Sequence, residues 1–403
     1  MKIQTTKTEF KKISELCDLR KGKKVNSSSM KTKNSVPYLL IDTLRGAEPE
    51  FFTEDKNYTE AIPEDILIVA DGANSGLVGT GVKGAVGSTI LRIRINVNDL
   101  NKDYLSYFLK SKFQEFNKDM KGTGIPHLKP LKMLELEIRK PSPGTQSLIV
   151  SAIESNFSKI DNAIKNLKSA KKKIGLYRKA VLKKAFEKGE DWDEKNIGDV
   201  FITNPQKSEI KDLSDDLDIS FIPMKFVSEK SKKIINQETK KLFQVRKGYT
   251  YFKENDVILA KITPCFENGK MAIAKELKNG IGFGSTEYHV FRFEKEVITP
   301  FLFYFLQQNK FKGEAKRNMT GTAGQLRVPM KFIENFPIAF PSSLPTQQKI
   351  VSSIESKFSV IDKVEEAVNN SLAKSEKLKK SILKSAFEGR LVGEEEENRM
   401  ITE

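Results

Sequence analysis

The hydrophobic pattern of the chain changes twice from a mixed arrangement to a long helical one. Over residues 146–189, apolar residues recur at alternating three- and four-residue steps, which is typical of a coiled-coil seam or a long amphipathic helix. Residues 346–390 repeat this spacing. The predicted helix–helix seam residues are Ile153, Phe157, Ile160, Ile164 and Leu167 in the first helix, and Ile354, Phe358, Ile361, Val368 and Leu372 in the second.

Both helix predictions have defined ends. Thr145 follows Pro143-Gly144 and is predicted to be the N-cap, and Gly189 is predicted to end the first helix. A helix of 40 residues is about 60 Å long. Neither helix can bury its apolar stripe alone, so we expect the two stripes to pack on each other.

The remaining segments mix short strands with short helices. In residues 91–95, Leu, Ile and Ile alternate with Arg92 and Arg94, which predicts a half-buried strand with a basic outer face. Residues 103–116 have a helical pattern, and the Gly-rich stretch 71–87 and residues 264–269 are predicted to be exposed loops between strands. The predicted fold class is therefore α+β, with globular regions joined by long helices.

The chain is an internal duplication. The sequence TQSLIVSAIESNFSKID at 145–161 matches TQQKIVSSIESKFSVID at 346–362 with a constant, gap-free offset of 201 residues. The regions before these helices match each other more loosely, in the same order. The predicted segments are a first globular domain (1–145), a central helix (146–189), a second globular domain (190–345), a C-terminal helix (346–390) and an acidic tail (391–403).

The charge balance favours an anionic partner. Lys and Arg total 69 against 53 Asp and Glu, a net charge of +16, and the first helical segment contributes 11 basic and three acidic residues. A polyanion binder needs such an excess, whereas an enzyme acting on small molecules does not. For the first helix, a solvated helix face is the alternative interpretation.

Cysteine and histidine usage excludes several kinds of site. Cys17 and Cys265 lie in opposite halves without a CxxC pair, so neither a disulfide framework nor a Cys-rich zinc site is expected. His127 and His289 are also far apart in the sequence, which excludes a His-rich metal site. The chain starts without an apolar signal core, and its apolar runs are too short to span a bilayer. We expect a reduced, cytoplasmic protein without membrane association.

The motifs of nucleotide-dependent enzymes are missing or in the wrong context. Gly79–Gly84 fits G-x-G-x-x-G, but a strand pattern follows where a dinucleotide site needs a helix. There is no P-loop motif, and Asn204-Pro205-Gln206 lacks the aromatic residue of the tetrapeptide with which amino-methyltransferases hold a flipped base. No catalytic residue, metal or cofactor is therefore expected in this chain.

Polar loops at matching places in the two halves are the best candidates for nucleic-acid contacts. Residues 122–129 and 321–327 combine Gly, which permits close backbone approach, with Thr, amides and cations that suit phosphates and base edges. Ordinary solvated turns are the alternative. The candidate DNA-binding residues are Asn74, Ser75, Lys83, Thr123, His127 and Lys129 in the first half, and Lys261, Thr263, Asn268, Lys270, Thr322, Gln325 and Arg327 in the second.

The duplicated helix start, P-x(2–4)-T-Q-x-x-I-V-x-x-I-E-S-x-F-S-x-I-D after each variable globular region, resembles the specificity (S) subunits of Type I restriction–modification systems. The resemblance covers nearly the whole chain. It implies two DNA target recognition domains, each reading half of a split site in double-stranded DNA, separated by two long antiparallel helices that form a coiled coil and set the spacing. The whole is a pseudo-two-fold repeat.

The same resemblance implies the partners. Two copies of a modification subunit would dock on the helices, bind S-adenosylmethionine and methylate adenine N6, and a translocating restriction subunit joins for cleavage. Two other classes stay open: a coiled-coil scaffold without sequence-specific DNA binding, and a self-contained nuclease or ATPase, which the missing phosphate and metal motifs disfavour.

Overall fold

The computed structural model describes residues 9–116 and 128–392, which form two compact units. The first unit comprises the described residues up to Lys168 together with those from Asn369 onward. The second unit is the continuous stretch Ser169–Val368. Both boundaries fall inside long helices, so each unit contains parts of two helices as well as a globular region.

The described part of the first unit contains ten short strands. Its strands are β1 Glu9–Lys12, β2 Cys17–Lys21, β3 Val36–Leu39, β4 Phe52–Thr53, β5 Glu60–Ala61, β6 Ile66–Val69, β7 Val78–Thr80, β8 Gly84–Val86, β9 Ile90–Ile95 and β10 Glu137–Lys140. Its helices are α1 Ile13–Leu16, α2 Lys102–Ser111, α3 Phe113–Phe116, α4 Pro130–Leu134 and the beginning of α5 Pro143–Ala185.

The second unit repeats this plan. Its strands are β11 Trp192–Asn196, β12 Phe201–Thr203, β13 Asp218–Ile222, β14 Glu238–Lys241, β15 Thr250–Lys253, β16 Val257–Ala260, β17 Met271–Ile273, β18 Ile281–Gly284, β19 Tyr288–Phe293 and β20 Pro337–Pro341. Its helices are α6 Ile197–Val200, α7 Thr299–Phe305, α8 Asn309–Arg317, α9 Met330–Glu334 and the beginning of α10 Leu344–Phe387.

The strand order of the described residues is the same in both units. Sheets β2-β9-β6-β7 and β4-β3-β8-β5 of the first unit correspond to β12-β19-β16-β17 and β14-β13-β18-β15 of the second. The first and last strands of each globular region pair antiparallel, as β1 with β10 and β11 with β20. In each unit one pair is parallel, β3 with β8 and β13 with β18. The predicted α+β class and internal repeat are confirmed.

The central strand of each unit is buried on both faces. In β6, Ile66 and Ile68 join the core beneath the helices, whereas Leu67 and Val69 join the core beneath the second sheet. Strand β16 divides its side chains between two cores in the same way. A strand between two apolar layers lacks the alternation of a half-exposed strand.

Two local predictions for the first unit are wrong. Arg92 is buried, and it donates to Asp18 at 2.6 Å, so β9 has no basic outer face. Arg94 forms two parallel bonds to the buried Asp65 carboxylate, both 2.7 Å. The Gly-rich stretch 71–87 is not an exposed loop, because it contains β7 and β8 with mostly buried residues.

The second unit repeats this buried ion pair. Asp256 is 2% exposed and accepts two bonds from Arg292, at 2.9 and 2.7 Å. Both aspartates also accept a backbone N–H three residues upstream, from Ile62 and from Lys253. These ion pairs join neighbouring strands of each sheet, and both aspartates are too buried to contact a ligand.

The helix ends differ from the prediction. Helix α5 begins at Pro143, with Thr145 buried in its first turn, and the Ser142 hydroxyl accepts the Thr145 N–H at 3.3 Å. The helix ends at Ala185, four residues before Gly189. Helix α10 ends at Phe387, and there Gly389 has the left-handed φ of 73° of a C-terminal glycine.

In each unit the two helix segments pack antiparallel. Ile160 and Ile164 of α5 share the first unit's core with Ile382 and Leu383 of α10. In the second unit, Val181 and Leu182 of α5 share a cluster with residues 354–361 of α10. The predicted seam residues Ile153, Ile160, Ile164, Ile354, Phe358, Ile361 and Val368 are buried, and Phe157, Leu167 and Leu372 are half-buried.

The seam is not purely a helix–helix contact. Ile153 at the start of α5 belongs to the same core as residues of α2 and β10. At the same end of the helix pair, Phe387 of α10 packs on Tyr104 and Phe108 of α2. Within the described ranges, no helix has the combination of length and apolar character required to cross a membrane.

Candidate nucleic-acid interface

A buried glutamine fastens each long helix to its globular region. Gln146 is fully buried, and its Oε1 accepts the Asn101 N–H at 2.7 Å. Its Nε2 donates to the carbonyls of Asp99 and Pro141 at 3.0 and 2.8 Å. All three partners are backbone groups that would otherwise lack a bond. The residue thus fixes where α5 leaves the domain.

Gln347 makes the same three bonds in the second unit. Its Oε1 accepts the Ile298 N–H at 2.9 Å, and its Nε2 donates to the Glu296 and Pro341 carbonyls at 2.8 Å each. The glutamine at each helix start is therefore explained by structure. Sequence reasoning did not assign this role, although the repetition of Gln at both sites was the signal.

A cluster of one tyrosine, one phenylalanine and one ion pair ties the helices together in the first unit. Tyr107 of α2 packs edge-on against Phe157, with ring centroids 5.9 Å apart. Lys379 of α10 lies over the Phe157 ring and bonds Asp161. Burial and then the nearby Glu154 carboxylate raise the pKa of Tyr107 to about 12.

The second unit contains the equivalent cluster. Tyr304 packs edge-on against Phe358 at 5.8 Å, and Arg178 lies over that ring while donating to Asp362 at 2.5 Å. Burial and then Glu355 raise the pKa of Tyr304 to about 12. The repeated Glu, Phe and Asp of the helix motif are thus the residues that meet the opposite helix and the globular region.

The candidate residues of the first half are only partly presented to solvent. Ser75 is 1% exposed and donates to the Ala70 carbonyl at 3.1 Å, so its hydroxyl stabilises a turn instead of making the predicted ligand contact. Asn74 accepts a bond from Arg45 at 2.5 Å. Lys83 and Lys129 are exposed. Thr123 and His127 lie outside the described residues, as does the acidic part of the tail.

The predicted loops of the second half do come together. The backbone N–H of Thr263 donates to Leu326 at 2.9 Å, and the Thr263 hydroxyl accepts the Leu326 N–H at 3.1 Å. The N–H of Val328 donates to the Lys261 carbonyl at 3.0 Å. In the first unit, Leu128 donates to Ala70 at 2.7 Å in the equivalent place. Two sequence-distant loops are therefore joined in each unit.

Arg327 is held in place by an acidic neighbour. Its guanidinium donates to both Glu287 carboxylate oxygens, with Nε–Oε2 3.0 Å and Nη2–Oε1 2.9 Å. Its Nη1 donates to the Gln325 carbonyl at 2.9 Å. The hydrogen bond from Arg327 lowers the pKa of Glu287. Arg327 is still 39% exposed, so the loop presents a fixed guanidinium rather than a mobile one.

The remaining candidates surround this junction. Thr322, Gln325 and Asn268 are exposed, whereas the Lys270 ammonium donates to the Met224 carbonyl at 3.1 Å. His289 is buried beneath the loops and bonds the Val328 carbonyl at 2.8 Å. Burial lowers the pKa of His289 to about 4, so its ring is neutral near pH 7.

The joined loops present polar groups that can contact a nucleic acid. Across residues 9–116 and 128–392, no group of three or more His, Cys, Asp or Glu side chains is placed to hold a metal ion. The exposed groups of the joined loops are amides, hydroxyls and cations, which can contact phosphates and base edges.

Comparison with known proteins gives a consistent result. The family model for the Type I restriction modification DNA specificity domain matches residues 6–172 and 189–374. The EcoEI specificity subunit of Escherichia coli is 37% identical over 57% of this chain and 38% of its own length. The EcoAI specificity subunit of the same organism is 39% identical over 53% of this chain and 36% of its own length. The matched stretch thus spans under half of either relative.

A more distant relative matches over most of both chains. The MjaVIII specificity subunit of Methanocaldococcus jannaschii is 27% identical over 88% of this chain and 86% of its own length. Among solved structures, a chain from a study of type I R-M complex assembly has a TM-score of 0.74 at 14% identity, covering 95% of this chain and 98% of that one. The HsdS subunit from Thermoanaerobacter tengcongensis has a TM-score of 0.56 at 15% identity, covering 96% of this chain and 98% of that one. At these identities the two structures support the fold alone.

Proposed function

This chain belongs to the family of Type I restriction–modification DNA specificity proteins, and we propose on that basis that it selects a two-part DNA site for methylation by partner subunits. Each globular region would read one half-site. The observation that carries this proposal is the presence, in both units, of two sequence-distant loops joined by a backbone bond beneath exposed polar residues. Loops on a rigid sheet scaffold are the usual place for recognition residues.

The two globular regions share their strand order but not their loop residues. The second half presents Gln325 and a guanidinium fixed by Glu287, whereas the first presents Lys129 after a different sequence. Arg and Gln are suited to guanine and adenine edges, respectively. Different loop residues on the same arrangement of strands support the recognition of two different half-site sequences.

Two modification subunits are the proposed protein partners, one for each copy of the helix repeat. Tyr177 and Leu378 occupy equivalent places in the duplicated helices, and they are 55% and 51% exposed. An exposed apolar side chain at both equivalent positions favours two similar docking faces. The modification subunit, not this chain, would bind S-adenosylmethionine and methylate adenine N6. A restriction subunit would join the same assembly.

The test is an adenine-methylation map of DNA from cells with and without this gene. We expect a split motif, two short sequences around an unread spacer, that disappears on deletion and returns when the gene is restored. A restored copy that carries Gln348→Leu, an exposed position of α10, is the matched control and should restore the same motif. If wild-type cells yield no gene-dependent motif while the purified chain still captures protein partners, the scaffold alternative replaces this proposal.

A further inference from the structure

Two lysines of the second unit meet at one point without a carboxylate partner. Lys232 donates from Nζ to the Gly269 carbonyl at 2.6 Å and to the Asn268 carbonyl at 3.2 Å. A Cβ on residue 269 would lie 2.6 Å from Lys232 Nζ and 3.3 Å from Lys312 Nζ. Both ammonium groups therefore surround the same glycine.

Neither charge is neutralised inside the described part of the chain, where no ion pair of Lys232 or Lys312 occurs. Glu229, on the same hairpin as Lys232, is close enough to act through its field but forms no ion pair with it. Burial, followed by the charges of Lys312 and Arg178, lowers the pKa of Lys232 to about 8. Burial and then Lys179 also lower the pKa of Lys312. Two ammonium groups held close together at a partly desolvated site repel each other, and a bound anion would offset that repulsion.

The backbone at Lys232 supports a role beyond packing. Its φ is +53°, in the left-handed region that lysine seldom adopts. The turn is fixed by bonds between Ser228 and residues 232 and 233. A strained residue that places a cation against a glycine is a feature associated with functional sites.

The surroundings indicate a polyanion. Residues 223–249 contain eight Lys or Arg and two Glu. A groove between the end of α5 and the start of α8 is lined by Lys179, Lys183 and Lys310. Asn268, one of the candidate DNA-binding residues, lies in the turn that Lys232 contacts. A track of cations fits a repeating chain of phosphates better than one small anion.

We propose that Lys232 and Lys312 together bind a phosphodiester of the DNA backbone beside the Pro264–Gly269 turn of the second unit. This inference rests on the proposed function and adds a contact that positions DNA without reading its sequence. Such contacts fix register and orientation, while base contacts specify.

The test measures DNA binding by the full-length chain on two duplexes of equal length, one with the mapped split motif and one with that motif scrambled. We expect the double variant Lys232→Gln and Lys312→Gln to weaken binding to both duplexes by the same factor. Losing two phosphate contacts should make the slope of log affinity against log salt less steep by about 1.8. The factor by which binding weakens between 50 and 200 mM salt should therefore be about ten times smaller for the double variant than for the wild type. The control is Lys295→Gln, which removes one charge at an exposed lysine after β19. It should change the salt slope less than Lys232→Gln alone or Lys312→Gln alone.

Two results would overturn the phosphate site: an unchanged salt slope, or a loss confined to the duplex with the motif, which would make the lysines base-reading groups. Both differ from failure of the proposed function, in which the wild-type chain binds the two duplexes equally. Circular dichroism on each variant separates misfolding from loss of contact.

The pH dependence gives a second readout. Around Lys232 the charged groups are Lys312 from α8, Arg178 from α5 and Glu229 from its own hairpin. Since the pKa of Lys232 is lowered to about 8, a bound phosphate should raise that pKa, and the Lys232 amine should take up a proton when DNA binds. Affinity should be greatest below pH 8 and decline as the pH rises above it. Lys232→Arg, which stays charged, should remove this decline; if it persists unchanged, Lys232 does not contact the phosphate.

Discussion

The two globular regions have the same sheets but place their charges in different connections. In the first unit, the β2–β3 connection (22–35) has four Lys and no acidic residue, and the β3–β5 connection (40–59) has five acidic and two basic residues. The second unit reverses this. Its β12–β13 connection (204–217) has four acidic and two basic residues, and its β13–β15 connection (223–249) has two acidic and eight basic.

The sheet order and the glutamine contacts are therefore the constant part of the molecule, while charge and loop chemistry vary. A duplicated scaffold does not require a duplicated binding surface. If both regions contact DNA, the phosphate contacts should come from different connections in each, because the cations are in different places.

The glutamine contacts offer the strongest test of the constant part. Gln146→Leu or Gln347→Leu leaves one buried N–H and two carbonyls without a partner, so each should lower the free energy of unfolding by about 2–4 kcal/mol. Chemical denaturation measures the loss in the free energy of unfolding, and hydrogen exchange shows which unit is destabilised. Gln348→Leu, at the exposed neighbouring position, should change stability by no more than about 0.5 kcal/mol. A markedly different loss of stability for Gln146→Leu and Gln347→Leu would contradict the structural equivalence of the two glutamines.

Arg327 tests the variable part. Arg327→Ala should cost about 1–3 kcal/mol of discrimination at one half-site only, because Arg327 lies in the joined loops of the second unit, where Glu287 fixes it. Competition binding with single-base changes in each half-site measures this. Lys129→Ala should leave the second half-site unchanged. A uniform loss on all DNA would instead make Arg327 a phosphate contact.

The smallest expected effect concerns the helix ion pairs. Double-mutant cycles for Arg178 with Asp362 and for Lys379 with Asp161 should give coupling of about 0.5–1 kcal/mol or less, since these groups are largely solvated. The Arg178 pair should be the larger, because the planar guanidinium of arginine loses less conformational freedom per hydrogen bond than a lysine ammonium. Urea denaturation of the single and double variants gives both values. A larger coupling for Lys379 would contradict this ranking.

The helices and the repeat could be predicted because their signal is local. Seam residues such as Ile153 and Ile354 recur at the helical period, and one offset relates both copies. The roles of Arg92 and Ser75 could not be predicted this way. The alternation of apolar and basic residues in β9 shows that the two faces of the strand differ. It does not show that Asp18 on β2 pairs with Arg92. Nor does a polar loop sequence reveal that its hydroxyl points back into the turn.

Comparing the two halves would have revealed more than reading each alone. Asp65 and Asp256 both directly precede a buried strand, and Arg94 and Arg292 both lie on the strand that pairs with it. That repetition identifies a structural ion pair rather than a DNA contact. By contrast, Lys232 stands out because the corresponding connection of the first half, residues 40–59, is acidic.

The division of the long helices has a consequence for synthesis on the ribosome. The second unit is one continuous stretch, so all its parts exist once Val368 has left the exit tunnel. The first unit includes Phe387, which covers Tyr104 and Phe108, and so lacks a piece of its core until Phe387 has also left the tunnel. The half that is made first is therefore the half that is completed last, and in the interval its aromatic surface is open to solvent and chaperones.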